Sequence, residues 1–290
     1  MPLSTRRGRK RGKRTVEGMT TTTTPARPLD LVRQIVVLSA VSFMLISALL
    51  GTGFLGGTSV ENTQSGSLDS DSTYLAPAGP AFSIWSVIYA GLIAYAVWQA
   101  LPRQRANPRQ RELGWLIALT AVINGMWLVA AQFWALPLTV VVIVLLLIAL
   151  AITFRVAVVT RTPRDGAVDS VLIDGVTGLH LGWVSLATVA NTTAWLTETV
   201  PQEWGENPAA FGIPVLIVVG VIGLAMAWAS GWRVTPGLAI GWGAAWLAVG
   251  RLTEEPQNTA IGVTAIVVAA AVALIPLAVA GLRLLRPQGD

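Results

Sequence analysis

The chain has 290 residues, 53% hydrophobic and only 12% charged, with a formal net charge of +5. Soluble domains carry about 25% charged residues, so too few charges remain to cover a water-facing surface, and a soluble enzyme is excluded. No cysteine and a single histidine exclude disulfides, thiolate metal sites and cysteine nucleophiles, as well as metalloenzymes built on clustered histidines.

Residues 1–30 form a basic tail. Nine of the first 33 residues are Arg or Lys, and a threonine run follows at Thr20 to Thr24. Such clusters can bind anionic lipid or nucleic acid. A topology signal on a disordered tail explains this one without any partner, so no nucleic acid is expected. The first apolar run exceeds the length of a signal-peptide core and lacks a small-x-small cleavage site, so a cleaved leader is not expected.

Apolar runs of spanning length then follow one another, each near the roughly 20 residues that cross a bilayer. They lie at Leu31 to Phe54, Ala81 to Leu101, Leu113 to Trp134, Leu136 to Val159, Val168 to Leu196, Phe211 to Ala229, Val234 to Gly250 and Ile261 to Leu285. The seventh is the shortest; Thr235 is expected to cap it, with Pro236 in its first turn. Pro276 inside the eighth predicts a kink.

The loops alternate in charge. The loop after the first run carries Glu61, Asp69 and Asp71 and no base, and the next carries Arg103, Arg105, Arg109 and Arg111. Arg161 and Arg164 follow the fourth run, and Glu198, Glu203 and Glu206 the fifth. Arg233 follows the sixth, Arg251 with Glu254 and Glu255 closes the seventh, and Arg283 and Arg286 end the chain. Basic loops stay cytoplasmic. The reading is therefore an all-α, polytopic bundle of about eight spans with both termini cytoplasmic, integral to the plasma membrane of a bacterium.

Polar groups inside a bilayer are costly and mark candidate sites. Phe82, Trp85 and Tyr89 share one face of the second span at i, i+3, i+7 spacing. Asn124 and Trp127 do so on the third, and His180, Trp183, Ala187 and Asn191 on the fifth. The asparagines need hydrogen-bond partners and should face the interior. Two readings stand: a pocket walled by indole rings, or interhelical packing with polar glue.

The segment Pro77-Ala-Gly-Pro-Ala-Phe82-Ser-Ile-Trp85-Ser-Val-Ile-Tyr89, with Trp98 beyond it, resembles the second-helix motif of the TspO/MBR family. These are the tryptophan-rich sensory proteins related to the mitochondrial translocator protein. Asn124-Gly-Met-Trp127 with Phe133-Trp134 is similar to that family's third-helix motif. His180-Leu-Gly-Trp183 with Ala187 and Asn191 is similar to the fifth-helix one. The resemblance covers Leu31 to Leu196. It divides the chain into a tail (1–30), a five-helix core (31–198) and three additional spans with a short tail (199–290). Leu179-His180 stands where the family has Pro-Tyr, and the Trp often found just before the proline pair is missing.

The resemblance implies a ligand-binding membrane protein rather than an enzyme, with no obligatory cofactor. Its ligand would be a porphyrin, haem or similar flat apolar molecule, held by Phe82, Trp85, Tyr89, Asn124, Trp127, His180, Trp183, Ala187 and Asn191. Its role would be sensory, regulatory or in transport. The loop from Gly56 to Gly79 is expected to form a lid, since about 25 residues exceed an ordinary connection. For His180, axial haem ligation stands against a neutral imidazole bonded to a neighbouring helix. Asp169 is expected in the first turn of its helix, and Asp174 is expected to pair with Arg155. The alternatives are a small-solute transporter, which should show an internal repeat, and a membrane subunit acting through helix contacts. The GxxxG pairs Gly53/Gly57, Gly178/Gly182 and Gly237/Gly241 fit either tight internal packing or a homodimer.

Overall fold

The computed structural model describes residues 25–54, 58–163 and 165–285; residues 1–24 of the basic tail, Gly56, Gly57, Arg164 and Arg286 lie outside them. Eight long helices run through the described residues: α1 (Pro28–Gly51), α2 (Ile84–Ala100), α3 (Pro108–Phe133), α4 (Leu136–Val159), α5 (Ala167–Thr199), α6 (Pro208–Ala229), α7 (Thr235–Thr253) and α8 (Thr259–Leu285). Proline stands in the first turn of α1, α3, α4, α6 and α7, where the missing N–H costs nothing. Asn107 and Asn207 cap α3 and α6 by accepting backbone N–H bonds with their side chains. Pro214 lies inside α6, and α8 continues through Pro276.

The first five helices close into a ring. α1 packs on α2 and α3, α3 on α4, α4 on α5, and α5 returns to α2. On α4, which is apolar almost all round, Val141, Leu145, Ile148 and Ile152 are exposed, while Thr139, Leu146, Leu150 and Thr153 are buried. The lipid-facing stripe is thus apolar, and the inward stripe carries the few hydroxyls, which bond helix carbonyls.

The last three helices lie against one wall of that ring: α7 packs on α5 and α8, and α8 also packs on α6. Two glycine pairs make these approaches close. A methyl group added at Gly182 would run into the Pro236 carbonyl, and one at Gly178 into Thr235. At Gly237 it would meet the Val272 carbonyl of α8, and Gly241 faces Ala269. Both pairs therefore serve packing within the chain. Thr235 is the first residue of α7 rather than its cap, and its hydroxyl donates to the Asp174 carbonyl at 3.4 Å.

Seven of the eight helices are long and apolar enough to span a membrane by length and composition. The exception is α7, rich in Gly, Ala and Trp and ending in Arg251, with 11 of its 19 residues buried. A helix surrounded by other helices does not need an apolar face toward lipid, so burial explains its lower hydropathy.

Polar clusters close the basic end of the bundle. Residues 170–175 of α5 form a π-helical turn carrying Asp174. Its carboxylate meets Arg109 at 2.7 Å, Arg161 at 2.9 Å and Arg233 at 2.5 Å. Asp169 pairs with Arg109 and Arg161. These contacts join α3, the α4–α5 connection, α5 and the α6–α7 connection. The expected partner of Asp174, Arg155, is instead exposed on α4; it lies on a face that α4 turns away from α5. Nearby, Asp30 pairs with Arg111 at 2.7 Å, and Gln34 and Gln99 each donate to the other's backbone carbonyl. Arg283 donates to the Gly231 carbonyl at 3.0 Å, so both ends of the described chain lie at this basic end.

Candidate functional site

The opposite end is built on the connection between α1 and α2. Before α2 the chain makes a 3-10 turn, Gly79–Ser83, and this brings Phe82 and Trp85 to the inner wall. Trp85 stacks on Tyr89 one turn later, with ring centroids 5.1 Å apart, and meets Trp183 of α5 edge-on at 6.2 Å. Phe82 meets Trp183 edge-on at 5.7 Å. Edge-to-face and offset contacts are the favoured geometry of aromatic pairs, so these rings hold one another in place.

Two cavities share this aromatic wall. The first, about 60 Å³, is lined by Phe82, Trp85, Asn124, Trp127, Trp183, Ala187 and Asn191, with Ile143 and Leu146 from α4. The second, about 690 Å³, is bounded by Leu45 and Leu49 of α1, by Trp85, Ser86 and Tyr89 of α2, and by Trp127 and Leu128 of α3. Phe82, Trp85 and Trp127 belong to both, so the indoles of α2 and α3 stand between them. The first cavity admits only water-sized occupants; the second falls within the roughly 300–1,000 Å³ of small-molecule sites.

Seven of the nine expected site residues thus meet at the first cavity, and Tyr89 faces the second. His180 lines neither. It is 1% exposed, packs edge-on against Trp85 and lies 3.2 Å from the Asn124 amide nitrogen. With its Nε2 facing that donor, the ring sits behind the cavity wall and orients Asn124. The amide oxygen of Asn191 accepts from Thr139 of α4 at 2.8 Å.

Three polar atoms of the cavity residues are left over. The indole N–H groups of Trp127 and Trp183 and the amide oxygen of Asn124 are buried without a hydrogen-bond partner among the described residues. Buried polar groups in native proteins are paired almost without exception, so each orphan needs an explanation.

The roof comes from residues 58–78. Val60, Ser67, Leu68, Asp69, Ser72, Ala76 and Pro77 cover the first cavity. The Gln64 side chain donates to the Ala131 and Trp134 carbonyls, closing the end of α3. This anchor sits in a tight turn in which Gln64, Ser65 and Gly66 all have positive φ. Ser67 donates to Glu198 at the end of α5. The far side of the roof is held by α7: Arg251 donates to the Thr73 carbonyl at 2.5 Å, the Ala78 N–H to the Trp246 carbonyl at 3.3 Å, and the Trp242 indole to the Ala81 carbonyl at 2.9 Å. The spacing of residues within single helices pointed to none of these roof and α7 contacts, because each depends on which helix ends beside the loop.

A family model described as TSPO-like protein matches residues 33–278. The match continues past Leu196, where the motif resemblance ended, and takes in α6, α7 and most of α8. No curated protein and no solved structure matches the chain. With the matched region covering the ring, the roof and the flanking helices, the chain belongs to the TSPO-like family, as an integral membrane helical bundle.

Proposed function

We propose that this protein binds a flat, mostly apolar ligand of the tetrapyrrole type between α2, α3 and α5, in a sensory, regulatory or transport role. One observation carries the reading: two indole N–H groups and an amide oxygen, buried in an aromatic wall, have no partner among the described residues. A ligand ring stacked on these indoles would supply the missing partners, and apolar contact would supply most of the affinity. The wall between the two cavities consists of side chains, so rotation of Trp85 or Trp127 would merge them into one ligand-sized space. Residues 58–78 would then act as a lid, and the basic end of the bundle would face the cytoplasm.

The test is a fluorescence titration of the purified full chain with a panel of porphyrins, since twelve tryptophans supply the signal. Trp127→Ala should weaken binding about 5- to 150-fold, the range of a lost aromatic anchor, while the bundle stays folded. Parent-like binding of the whole panel by Trp127→Ala would make these residues packing only. Glycosylation or reporter fusions at residue 110 and at the C-terminus should both read cytoplasmic.

A further inference from the structure

The charge around the roof limits what the cavity can hold. The loops at this end, in residues 52–83, 196–207 and 251–258, contain eight carboxylates (Glu61, Asp69, Asp71, Glu198, Glu203, Glu206, Glu254 and Glu255) and one base, Arg251. Arg251 is 1% exposed, lines neither cavity, and donates across the loop to Thr73. Asp71, Glu254 and Glu255 are its charged neighbours. Its guanidinium therefore belongs to the α7 side of the roof.

Asp69 is placed differently: it lines the first cavity. One carboxylate oxygen accepts from the backbone N–H of Ser70 at 2.6 Å and from the Ser70 hydroxyl at 3.2 Å. Among the described residues no Arg or Lys pairs with it, and its second oxygen is free of any protein donor. Ser67, two residues earlier in the same roof, is bonded to Glu198, which adds a second carboxylate at the edge of the cavity. The opposite wall presents the unpartnered Trp183 indole, itself 2% exposed, and the unpartnered Asn124 oxygen, on a residue that is fully buried.

We infer that this site selects a flat ligand with a cationic or hydrogen-bond-donating group under Asp69 and an acceptor facing the Trp127 and Trp183 indoles, and that it discriminates against ligands bearing carboxylates. This deepens the proposed function and rests on it. A carboxylate-bearing ring entering beneath the roof would place like charges together, which disfavours it. A protonated amine there gives Asp69 the donor it lacks.

The experiment uses the full chain in nanodiscs of zwitterionic lipid and three porphyrins with one common ring: a dicarboxylate, its dimethyl ester and a bis-ammonium derivative. The expected order of affinity is ammonium, then ester, then dicarboxylate, with at least about 10-fold between the first and last. Asp69→Asn, which keeps the oxygen that accepts from Ser70, should shrink the gap between ammonium and ester and leave the ester unchanged. A dicarboxylate that binds as tightly as the ammonium form overturns the inference and leaves the pocket standing. An equal shrinkage in Asp71→Asn, a residue lining neither cavity, assigns the preference to the general field of the acidic end and overturns the role of Asp69. If none of the three binds, the pocket and the inference fall together.

Discussion

Both ends of this bundle bury polar groups, and each leaves some without a partner among the described residues: atoms of Arg33, Gln99, Arg105 and Gln110 at the basic end, and indole N–H groups and an amide oxygen of cavity-lining residues at the other. At the basic end Asp169 and Asp174 are surrounded by Arg109, Arg161 and Arg233, and Arg109 also donates to the Ala157 carbonyl at 2.7 Å. The buried carboxylates Asp169 and Asp174 have their cations in place, and four segments of the chain meet on them. At the acidic end, the indole N–H groups of Trp127 and Trp183 and the Asn124 amide oxygen sit in an aromatic wall without partners among the described residues. Paired carboxylates fix helices relative to one another; unpartnered atoms on cavity-lining residues leave directed valences for a guest. Charge alone would have marked the basic end as the functional site, and it is the pairing of its buried carboxylates with arginines that argues otherwise.

The largest effect should come from breaking that pairing. Asp174→Ala leaves three guanidinium groups short of a partner, which for a buried pair costs about 3–5 kcal/mol. Two of these arginines are about a quarter exposed, so the lower end of that range is expected. Thermal unfolding in detergent should show a clear drop in Tm, with porphyrin affinity below the transition unchanged. An unaltered Tm would remove the structural role of the basic end, and lost affinity would show that the two ends are coupled.

Next in size is Gly182→Leu, which drives a side chain into the Pro236 carbonyl and forces α7 from α5. Overpacking of this kind costs about 1–3 kcal/mol. Because α7 holds the roof through Trp242 and Arg251, faster proteolysis of the 58–78 loop should accompany the lower Tm. A lower Tm with unchanged cleavage would separate the roof from the flanking helices.

Trp183→Phe sharpens the contrast between the paired carboxylates and the unpartnered groups of the cavity wall. It keeps an aromatic ring and deletes a donor that has no partner, so stability should change little, while binding of a ring with a suitable acceptor should fall about 2- to 10-fold. The reverse pattern, parent-like binding with a large loss of Tm, would make the indole N–H a structural group. The smallest effect is expected from Trp242→Phe. It removes one hydrogen bond to Ala81, worth about 0.5–1.5 kcal/mol, and should raise loop cleavage slightly with less than about 3-fold change in binding. A loss as large as that of Trp127→Ala would place α7 in the site itself.

Several features were legible in the residues alone. Apolar runs placed all eight helices to within a few residues, because backbone groups in lipid must be satisfied within a helix and so the run length is set by the bilayer. Spacings of three and four put Phe82, Trp85, Asn124, Trp127 and Trp183 on single faces, since helical periodicity alone decides which side chains point the same way. The tertiary structure decided what those faces meet. It set His180 behind the wall rather than in it, gave Asp174 three arginines from distant segments instead of Arg155, and used both described glycine pairs inside the chain. It also turned α7, the shortest of the apolar runs, into the support of the roof. These outcomes depend on helix rotation and neighbour order. Both are set by contacts between residues far apart in sequence, such as Arg251 with Thr73 and Gly182 with Pro236, which no local spacing encodes.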